Sequence, residues 1–243
     1  MATVREYTDP FVLTYCPVPR IGLGVCDVCH GAANTGFTRC YSCDQTVDQV
    51  SEPIELVVPI SLTPTEGQFY HVLKSYKNPW GTPQQRMQLA ALYSRVLHEH
   101  GTCIRAKAGM DWDTVTIVPS SGARTGPHPL ENVVSMAPAV GPLYRPLLAR
   151  GAEAITHNQA SDGGYQVTTP VAGRRIVLVD DTFTTGGRVQ SAASALQRAG
   201  ATVVAAVVAG RIINPTYGTS EALWAKQRAK AFRFDQCCLC ADV

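Results

Sequence analysis

Two adjacent acids and the loop that follows them are the residues of this sequence best suited to chemistry. Asp180 and Asp181 end a short apolar run, residues 176–179, whose β-branched side chains predict a strand buried on both faces. Apolar residues at helical spacing over residues 189–199 predict a helix that ends at Gly200. The loop between strand and helix is small, rich in hydroxyl groups and closed by glycines: Thr182, Phe183, Thr184, Thr185, Gly186 and Gly187.

The position of this loop predicts a binding site for a sugar phosphate. In open α/β sheets the ligand crevice lies outside the carboxyl ends of the strands. The first helical turn offers backbone N–H groups without intrahelical partners and the positive end of the helix dipole, which attract phosphate. The glycines lack a Cβ and let the phosphate approach the backbone. Because carboxylates repel phosphate, we expect Asp180 and Asp181 to face a ribose diol or a magnesium ion.

Residues 177–187 resemble the diphosphoribose-binding signature of type I phosphoribosyltransferases, an apolar strand followed by D-D-x-x-T-T-G-G. The resemblance implies an α/β fold with an open, mainly parallel sheet flanked by helices. It also implies that Asp180 and Asp181 are the catalytic pair, which holds the ribose hydroxyls of phosphoribosyl diphosphate (PRPP), and that residues 182–187 bind the 5-phosphate. The implied cofactor is Mg²⁺, bound with PRPP.

Other interpretations of this stretch fit the sequence less well. A Walker-type nucleotide site needs G-x-x-x-x-G-K-[ST], which the chain lacks. A dinucleotide-binding loop at Gly22 and Gly24 fails because Asp27 stands where the third glycine belongs. A buried strand followed by a polar turn that binds nothing stays open as the alternative.

A second predicted strand, residues 114–119, also ends in a small polar loop. By the same crevice argument this loop faces the ligand. Its candidate ligand-binding residues are Ser120, Ser121, Gly122 and Arg124. A guanidinium at this position has the planar geometry that grips a pyrophosphate, which a lysine cannot match. The alternative is an arginine that is only solvated.

Nine cysteines in a chain without a secretory signal favour metal binding over disulfides. Two C-x-x-C knuckles, formed by Cys26, Cys29, Cys40 and Cys43, suit a tetrahedral structural Zn²⁺ site. Glycines and prolines around them predict a small zinc-ribbon-like module over residues 1–53, ahead of a phosphoribosyltransferase-like domain over residues 54–243. Four reduced thiols in a loop are the alternative. The sequence leaves open whether the tail cysteines 237, 238 and 240 share ligands with Cys16.

The remaining pattern predicts further strands over residues 54–62 and 202–209 and helices over 84–99 and 221–231. Prolines break the helical region 129–148. Residues 155–174 are polar and predict a long loop, which suits a lid over a reaction that must exclude water. His157 within it is assigned no role.

The order of these parts is similar to the competence protein ComF family and its phosphoribosyltransferase relatives. The resemblance covers roughly residues 26–209 and matches Lys74 to a recurring lysine of that family. Where the family carries R-G-F-N-Q, this chain reads G-P-H-P-L-E-N-V-V, and Asn132 alone matches. The implied function is Mg²⁺-dependent transfer of phosphoribose from PRPP to a nitrogen nucleophile such as a nucleobase, with release of pyrophosphate. The alternative is a non-catalytic PRPP-binding protein that acts in DNA uptake or recombination through DNA or a helicase-type partner.

Composition sets the outer limits of these interpretations. With 243 residues, 45% hydrophobic and 16% charged, the chain can bury a large core. The net charge of +2 gives no strong electrostatic signature of nucleic-acid binding, and the predicted helix 221–231 carries the one basic face. Without an apolar leader or a run long enough to span a membrane, the sequence predicts a cytoplasmic protein with no membrane partner.

Overall fold

The computed structural model describes residues 3–78, 80–120 and 126–240. These residues form an α/β fold built on a parallel sheet. In chain order the strands are β1 (Val57–Pro64), β2 (Thr114–Ile117), β3 (Leu148–Arg150), β4 (Tyr165–Val167), β5 (Arg175–Phe183) and β6 (Thr202–Ile213). The helices are α1 (Val4–Thr8), α2 (Tyr41–Asp48), α3 (Gln68–Ser75), α4 (Pro83–Ala108), α5 (Pro129–Met136), α6 (Gly187–Arg198) and α7 (Ser220–Arg228).

The main sheet has four strands in the order β1-β6-β5-β2, and every pairing within it is parallel. β5 and β6 are therefore the central strands, and their carboxyl ends lie at the same edge of the sheet as the end of β2. β3 and β4 form a separate antiparallel pair. The predicted open parallel sheet with flanking helices is confirmed at this level.

Strand β5 is buried on both faces, as its apolar run predicts. Val177 and Val179 point into the apolar core that also contains side chains of α3, α4 and α5. Ile176 and Leu178 point to the opposite side, into a core shared with α6. This alternation is the ordinary two-residue period of a strand. It places the sheet between two helical layers.

The cysteine-rich N-terminal segment packs on the α6 side of the sheet. Cys26, Cys43 and Val47 belong to the same apolar core as Phe183 and Val189. The segment therefore shares its core with the sheet, and its second knuckle begins α2, with Cys40 at the N-cap.

Local signals explain where several elements begin and end. α4 starts at a capping box between Thr82 and Gln85 and ends at Gly109, whose φ of 72° is the left-handed conformation of a helix C-cap. It is longer than the predicted helix 84–99. The predicted helix after the acidic pair is confirmed as α6, and Gly200 follows it at a φ of 88°.

Two segments differ from the sequence prediction. Residues 155–174 were expected to be an irregular loop, but they contain β4, whose partner β3 lies at the end of the region expected to be broken helix. Strands of three residues are too short to show a periodic pattern. α3 was also not predicted, because it is short and lies beside Pro64 and Gly67. Over the described residues, no helix combines the length and the apolar character needed to cross a membrane.

Candidate functional site

A pocket of about 310 Å³ lies where β5 ends and α6 begins. Asp180 and residues 182–189 line one side, and residues 155–157 of the segment before β4 line the other. This volume is at the lower end of the range for small-molecule sites, about 300–1,000 Å³. The end of the predicted strand with Asp180, the loop and the start of the helix therefore line one cavity.

Asp180 is buried, with 2% of its surface exposed, and is held on the α6 side of the sheet. Arg188, in the first turn of α6, donates from Nη2 to both carboxylate oxygens at 3.0 and 2.8 Å. The backbone N–H of Asp181 donates to Oδ1 of Asp180 at 2.9 Å. Tyr93 of α4 donates to the backbone carbonyl of Asp180 at 2.8 Å. The carboxylate and its peptide are thus fixed from both helical layers.

Asp181, 1% exposed, is held from the α3 side. Lys77 Nζ lies 2.6 Å from its Oδ2. The phenol of Tyr76 donates to the same oxygen, and the hydroxyl of Thr182 donates to Oδ1 at 3.0 Å. Arg188 Nη2 lies 3.8 Å from Oδ1. Arg188 therefore lies between the two carboxylates, 2.8 Å from Asp180 and 3.8 Å from Asp181, and of the two only Asp180 lines the pocket.

The two acids have opposite pKa shifts. Burial raises the pKa of Asp180 to about 6, and the opposing effect of Arg188 does not cancel it. Burial also acts to raise the pKa of Asp181, but Lys77 and Arg188 outweigh it and hold that pKa below its usual value. Burial and the charge of Asp181 raise the pKa of Tyr76 well above the usual tyrosine value, so its phenol remains a donor.

The loop before α6 offers backbone donors to the pocket. Gly186 is the N-cap of α6, and no side chain caps the first helical turn. An uncapped N-terminus of a 12-residue helix leaves N–H groups available to an anion, with the helix dipole in support. Thr185 is fixed on both sides: Thr46 of α2 donates to its carbonyl and its hydroxyl accepts from the N–H of Asn158, each at 3.3 Å.

Packing accounts for both loop glycines. Gly186 has a φ of 92°, and a Cβ there would lie 2.7 Å from Cζ of Phe183. A Cβ on Gly187 would lie 2.4 Å from the carbonyl oxygen of Gln159. The sequence predicts these glycines from the approach of a phosphate, and the structure adds a packing reason, because Gln159 of the segment before β4 lies directly against this loop.

The polar segment expected to act as a lid is tied to α6 rather than standing away from it. Ser161 donates its N–H to Ser191 at 2.9 Å. Asp162 accepts from the hydroxyl of Ser194 at 2.5 Å and from the N–H of Ser51 at 3.1 Å. Asn158 has a φ of 57°, and its buried Oδ1 has no hydrogen-bond partner among the described residues. The segment therefore covers the helix N-terminus in a closed arrangement.

The four predicted zinc ligands come together. The sulfur atoms of Cys26, Cys29, Cys40 and Cys43 all lie within 4.8 Å of one another and are buried. Sγ of Cys29 and Sγ of Cys40 are 3.8 Å apart, and all four cysteines are free thiols. Four convergent sulfurs with no open position are the donor set of a structural zinc site. This cluster could hold zinc.

Arg211 connects the cysteine cluster to the loop of residues 182–187. It lies on β6 and is almost fully buried. Its Nε donates to Sγ of Cys29 at 3.1 Å, while its Nη1 donates to the carbonyl of Thr184 at 3.0 Å. A Cβ on Gly31 would lie 2.6 Å from the guanidinium, so the knuckle backbone closes over it. One buried cation therefore contacts both sites.

The remaining predicted residues have different positions. Lys74 is exposed on α3, with its Nζ 5.5 Å from the centre of the Tyr70 ring, and the lysine that contacts the acidic pair is Lys77. Ser120 is half-buried beyond β2, the parallel neighbour of β5. The other predicted residues of that loop, Ser121, Gly122 and Arg124, lie outside the described residues.

Sequence reasoning assigned no site role to Tyr76, Tyr93 or Arg188. Arg188 directly follows the loop glycines, and a cation in the first turn of a helix is an unusual choice beside its positive dipole end. An arginine in this unfavourable position, a few residues after two acids, was the signal in the sequence that could have predicted the ion pair. No family model matches the chain, and no curated protein matches it. We therefore infer function from the residues and their geometry.

Proposed function

We propose that this protein binds PRPP with Mg²⁺ at the β5–α6 pocket and transfers the phosphoribosyl group to a nitrogen nucleophile such as a nucleobase, releasing pyrophosphate. The observation that carries the proposal is one pocket that combines the buried carboxylate of Asp180, with Asp181 next to it in the chain, and the uncapped, glycine-initiated N-terminus of α6. A sugar phosphate complements these two features. Its diol donates hydrogen bonds to carboxylates, and its phosphate accepts them from the N–H groups of a helix N-terminus.

The acidic pair would hold the ribose diol. Each hydroxyl donates to a carboxylate oxygen, and Arg188 within 4 Å of both acids places them at the separation one ribose can span. Lys77 and Arg188 balance the two negative charges, so the pair stays compatible with a polyanionic ligand. The sugar is therefore fixed by hydrogen bonds rather than by net charge.

The 5-phosphate would lie against the loop of residues 182–187. Backbone N–H groups at the start of α6 and the hydroxyls of Thr184 and Thr185 are the donors in that loop. The segment before β4 covers the same loop, and His157 lines the pocket on that side. This cover supports a reaction that excludes water.

The leaving pyrophosphate would lie toward Ser120, at the end of the neighbouring parallel strand β2. Ser121, Gly122 and Arg124 remain sequence predictions for the same role. Displacement at the anomeric carbon develops positive charge on the sugar, so the protein contributes mainly by orientation and charge placement. Mg²⁺ prefers oxygen ligands and neutralises phosphate charge, and the carboxylates present fit an ion held chiefly by PRPP itself.

Zn²⁺ at Cys26, Cys29, Cys40 and Cys43 would be structural. A closed tetrathiolate site has no position for substrate. Its contribution to the reaction would be to hold Arg211, and through it the carbonyl of Thr184.

A second candidate function, a PRPP-binding protein that acts on DNA or a DNA-processing partner, is favoured by a separate basic cleft. This cleft, of about 730 Å³, is larger than the β5–α6 pocket and lies between residues 17–25 and the C-terminal segment. Among the described residues that line it are Arg20, Lys226, Lys230 and Arg233, and no acid. A polyanion is the kind of partner such a surface attracts.

Pyrophosphate release distinguishes the two candidates. Purified protein is incubated with PRPP, Mg²⁺ and each of a panel of nucleobases, beside Asp181→Asn as the inactive control. Release with one acceptor, lost in the variant, supports the transferase. PRPP binding without release for any acceptor, together with salt-dependent retention on DNA, supports the second candidate.

A further inference from the structure

A second cluster of metal-ligating side chains lies far from the first in sequence. His100 and Cys103 are three residues apart on α4, and Cys237 and Cys240 belong to the irregular segment after α7. One ligand atom from each of the four lies within 4.8 Å of the others. Neither knuckle of the first cluster takes part.

Four of the six separations within this cluster are close to the edges of a zinc tetrahedron. Bonds of about 2.3 Å to sulfur and about 2.0–2.1 Å to nitrogen place two sulfurs about 3.8 Å apart and a nitrogen and a sulfur about 3.6 Å apart. Sγ of Cys240 lies 3.8 Å from Sγ of Cys103, 3.5 Å from Sγ of Cys237 and 3.6 Å from Nδ1 of His100. Nδ1 of His100 lies 3.9 Å from Sγ of Cys103.

The orientation of His100 is the independent observation that points to a cation. The ring is 4% exposed, and its Nε2 lies 2.7 Å from the backbone carbonyl of Phe234. A carbonyl only accepts, so Nε2 carries the proton and Nδ1 presents a lone pair toward three sulfurs. A ligating histidine whose other nitrogen donates to a carbonyl is the usual arrangement around zinc.

The tail knuckle is also arranged to hold thiolates. The backbone N–H of Cys237 donates to Sγ of Cys240 at 3.1 Å, and that of Leu239 donates to Sγ of Cys237 at 3.4 Å. Hydrogen bonds of this kind stabilise the charged form of a ligand. The sulfur separations exclude a disulfide, whose bond is about 2.05 Å, and all of these cysteines are free thiols.

We propose that His100, Cys103, Cys237 and Cys240 bind a second structural Zn²⁺, which joins the C-terminal segment to α4. Four protein ligands leave no open position, so the ion holds structure and does not touch substrate. The site also answers the question left open by the sequence about the tail cysteines. Cys16 packs with Leu62 and Ile213 and Cys238 lies in the main apolar core, so neither is a ligand.

The segment that the ion holds is anchored by Phe234 and Cys238 in the main apolar core but has no regular secondary structure. Residues 229–240 contain neither helix nor strand. Phe234 is buried, and Arg95 of α4 stacks on its ring, with Cζ 3.6 Å from the centroid. A metal crosslink stabilises such a segment because the metal's binding free energy is available only when its ligands are held together.

The test is the zinc content per chain, measured by elemental mass spectrometry on protein purified without added metal. Two clusters predict two zinc ions per wild-type chain. A Cys103→Ser, Cys240→Ser double variant should retain one, and the matched control Cys16→Ala should retain both. A wild-type content of one, or a content unchanged in the double variant, would overturn the proposal.

A measurement on the wild-type chain covers the case in which the variant does not fold. Cys103, Cys237 and Cys240 are only half-buried, so iodoacetamide can reach their sulfurs when no ion holds them. We expect mass spectrometry to find all three protected in the native protein and alkylated together after chelation. Alkylation of these three before chelator is added would contradict a bound metal.

Discussion

Arg188 Nη2 donates to both carboxylate oxygens of Asp180, at 2.8 and 3.0 Å, from the first turn of the helix that follows the acidic pair. Lys77 balances Asp181 in the same way from the opposite side of the sheet. The charge of the pair is thus compensated within the chain. These two carboxylates can therefore accept hydrogen bonds from the hydroxyl groups of a ligand without a further cation to balance their own charge.

Replacing Arg188 by methionine should destabilise the protein. Removing one partner of a buried ion pair costs about 3–5 kcal/mol because the other charge stays buried and unpaired. Asp180 is nearly inaccessible, but Arg188 is 29% exposed, so we expect a loss of about 2–3 kcal/mol. Urea unfolding at pH 7 measures it.

Two control variants separate this effect from a general effect of losing an arginine. Arg188→Met combined with Asp180→Asn should recover more than half of the lost free energy of unfolding, because no charge is then left unpaired. Arg198→Met, on the same helix, removes an exposed pair with Asp162 at 3.9 Å and should cost at most about 1 kcal/mol. Equal losses for Arg188→Met and Arg198→Met would contradict the buried pair.

The pH dependence of Asp180 follows from its raised pKa. In the folded protein the carboxyl group of Asp180 stays protonated up to a pH of about 6, whereas the ordinary pKa of an aspartate is 3.8. The stability contributed by the protonated carboxyl is therefore full below pH 3.8 and is lost as pH rises through about 6. Above that pH the carboxylate is available to a ribose diol, so PRPP affinity should weaken as the solution is acidified below it.

Carbon-13 NMR of labelled aspartate carboxyls measures this titration directly. One resonance should have its midpoint near pH 6 and be absent from Asp180→Asn. The resonance of Asp181 should titrate below the usual aspartate range, because Lys77 and Arg188 favour its charged form. If every aspartate titrates below about pH 4.5, the burial argument for Asp180 is wrong.

The substitution Gly187→Ala should disrupt the loop of residues 182–187. Its Cβ would lie 2.4 Å from the carbonyl oxygen of Gln159, and backbone cannot move aside as a flexible side chain can. We expect a loss of about 1–3 kcal/mol in stability and at least about tenfold weaker PRPP binding. Thermal unfolding and calorimetry measure the two effects. Gly22→Ala is the control, since a Cβ there meets nothing within 4 Å, and an equal response from both variants would argue against the close contact.

Arg211→Met should weaken PRPP binding although Arg211 does not line the β5–α6 pocket. The guanidinium holds the carbonyl of Thr184 at 3.0 Å and Cys29 at 3.1 Å, so its loss frees the loop from the cysteine cluster. We expect about tenfold weaker affinity, which corresponds to about 1.4 kcal/mol. Arg105→Met, which removes an exposed pair with Asp111 at 3.3 Å, is the control. Unchanged PRPP affinity in Arg211→Met would show that the cluster and the loop are independent.

The sequence predicted the parts of this site that are contiguous. A buried strand, two acids, a glycine-rich loop and an amphipathic helix follow one another within residues 175–198, and each is specified by a local pattern. The ligands of the first cysteine cluster also lie close together in the sequence, where two C-x-x-C knuckles form a recognisable motif. Both arrangements are present in the structure.

Contacts made between distant elements could not be read in this way. Lys74 and Lys77 are equivalent in sequence, and only the packing of α3 against the sheet turns Lys77 toward Asp181. The cover over the loop depends on contacts such as the hydrogen bond from Ser161 to Ser191, thirty residues apart. The second cysteine cluster left a usable signal, because H-x-x-C at His100 places two ligands on one helix face and C-x-x-C at Cys237 supplies the other two.

Calorimetric titration of PRPP tests the central claim most directly. The wild-type protein, Asp180→Asn and Asp181→Asn are titrated with and without Mg²⁺, after circular dichroism has shown that each variant is folded. We predict Mg²⁺-dependent binding at one site per chain in the wild type and its loss in both variants. Absence of PRPP binding in the wild type, or binding that neither substitution affects, would contradict the assignment of this pocket.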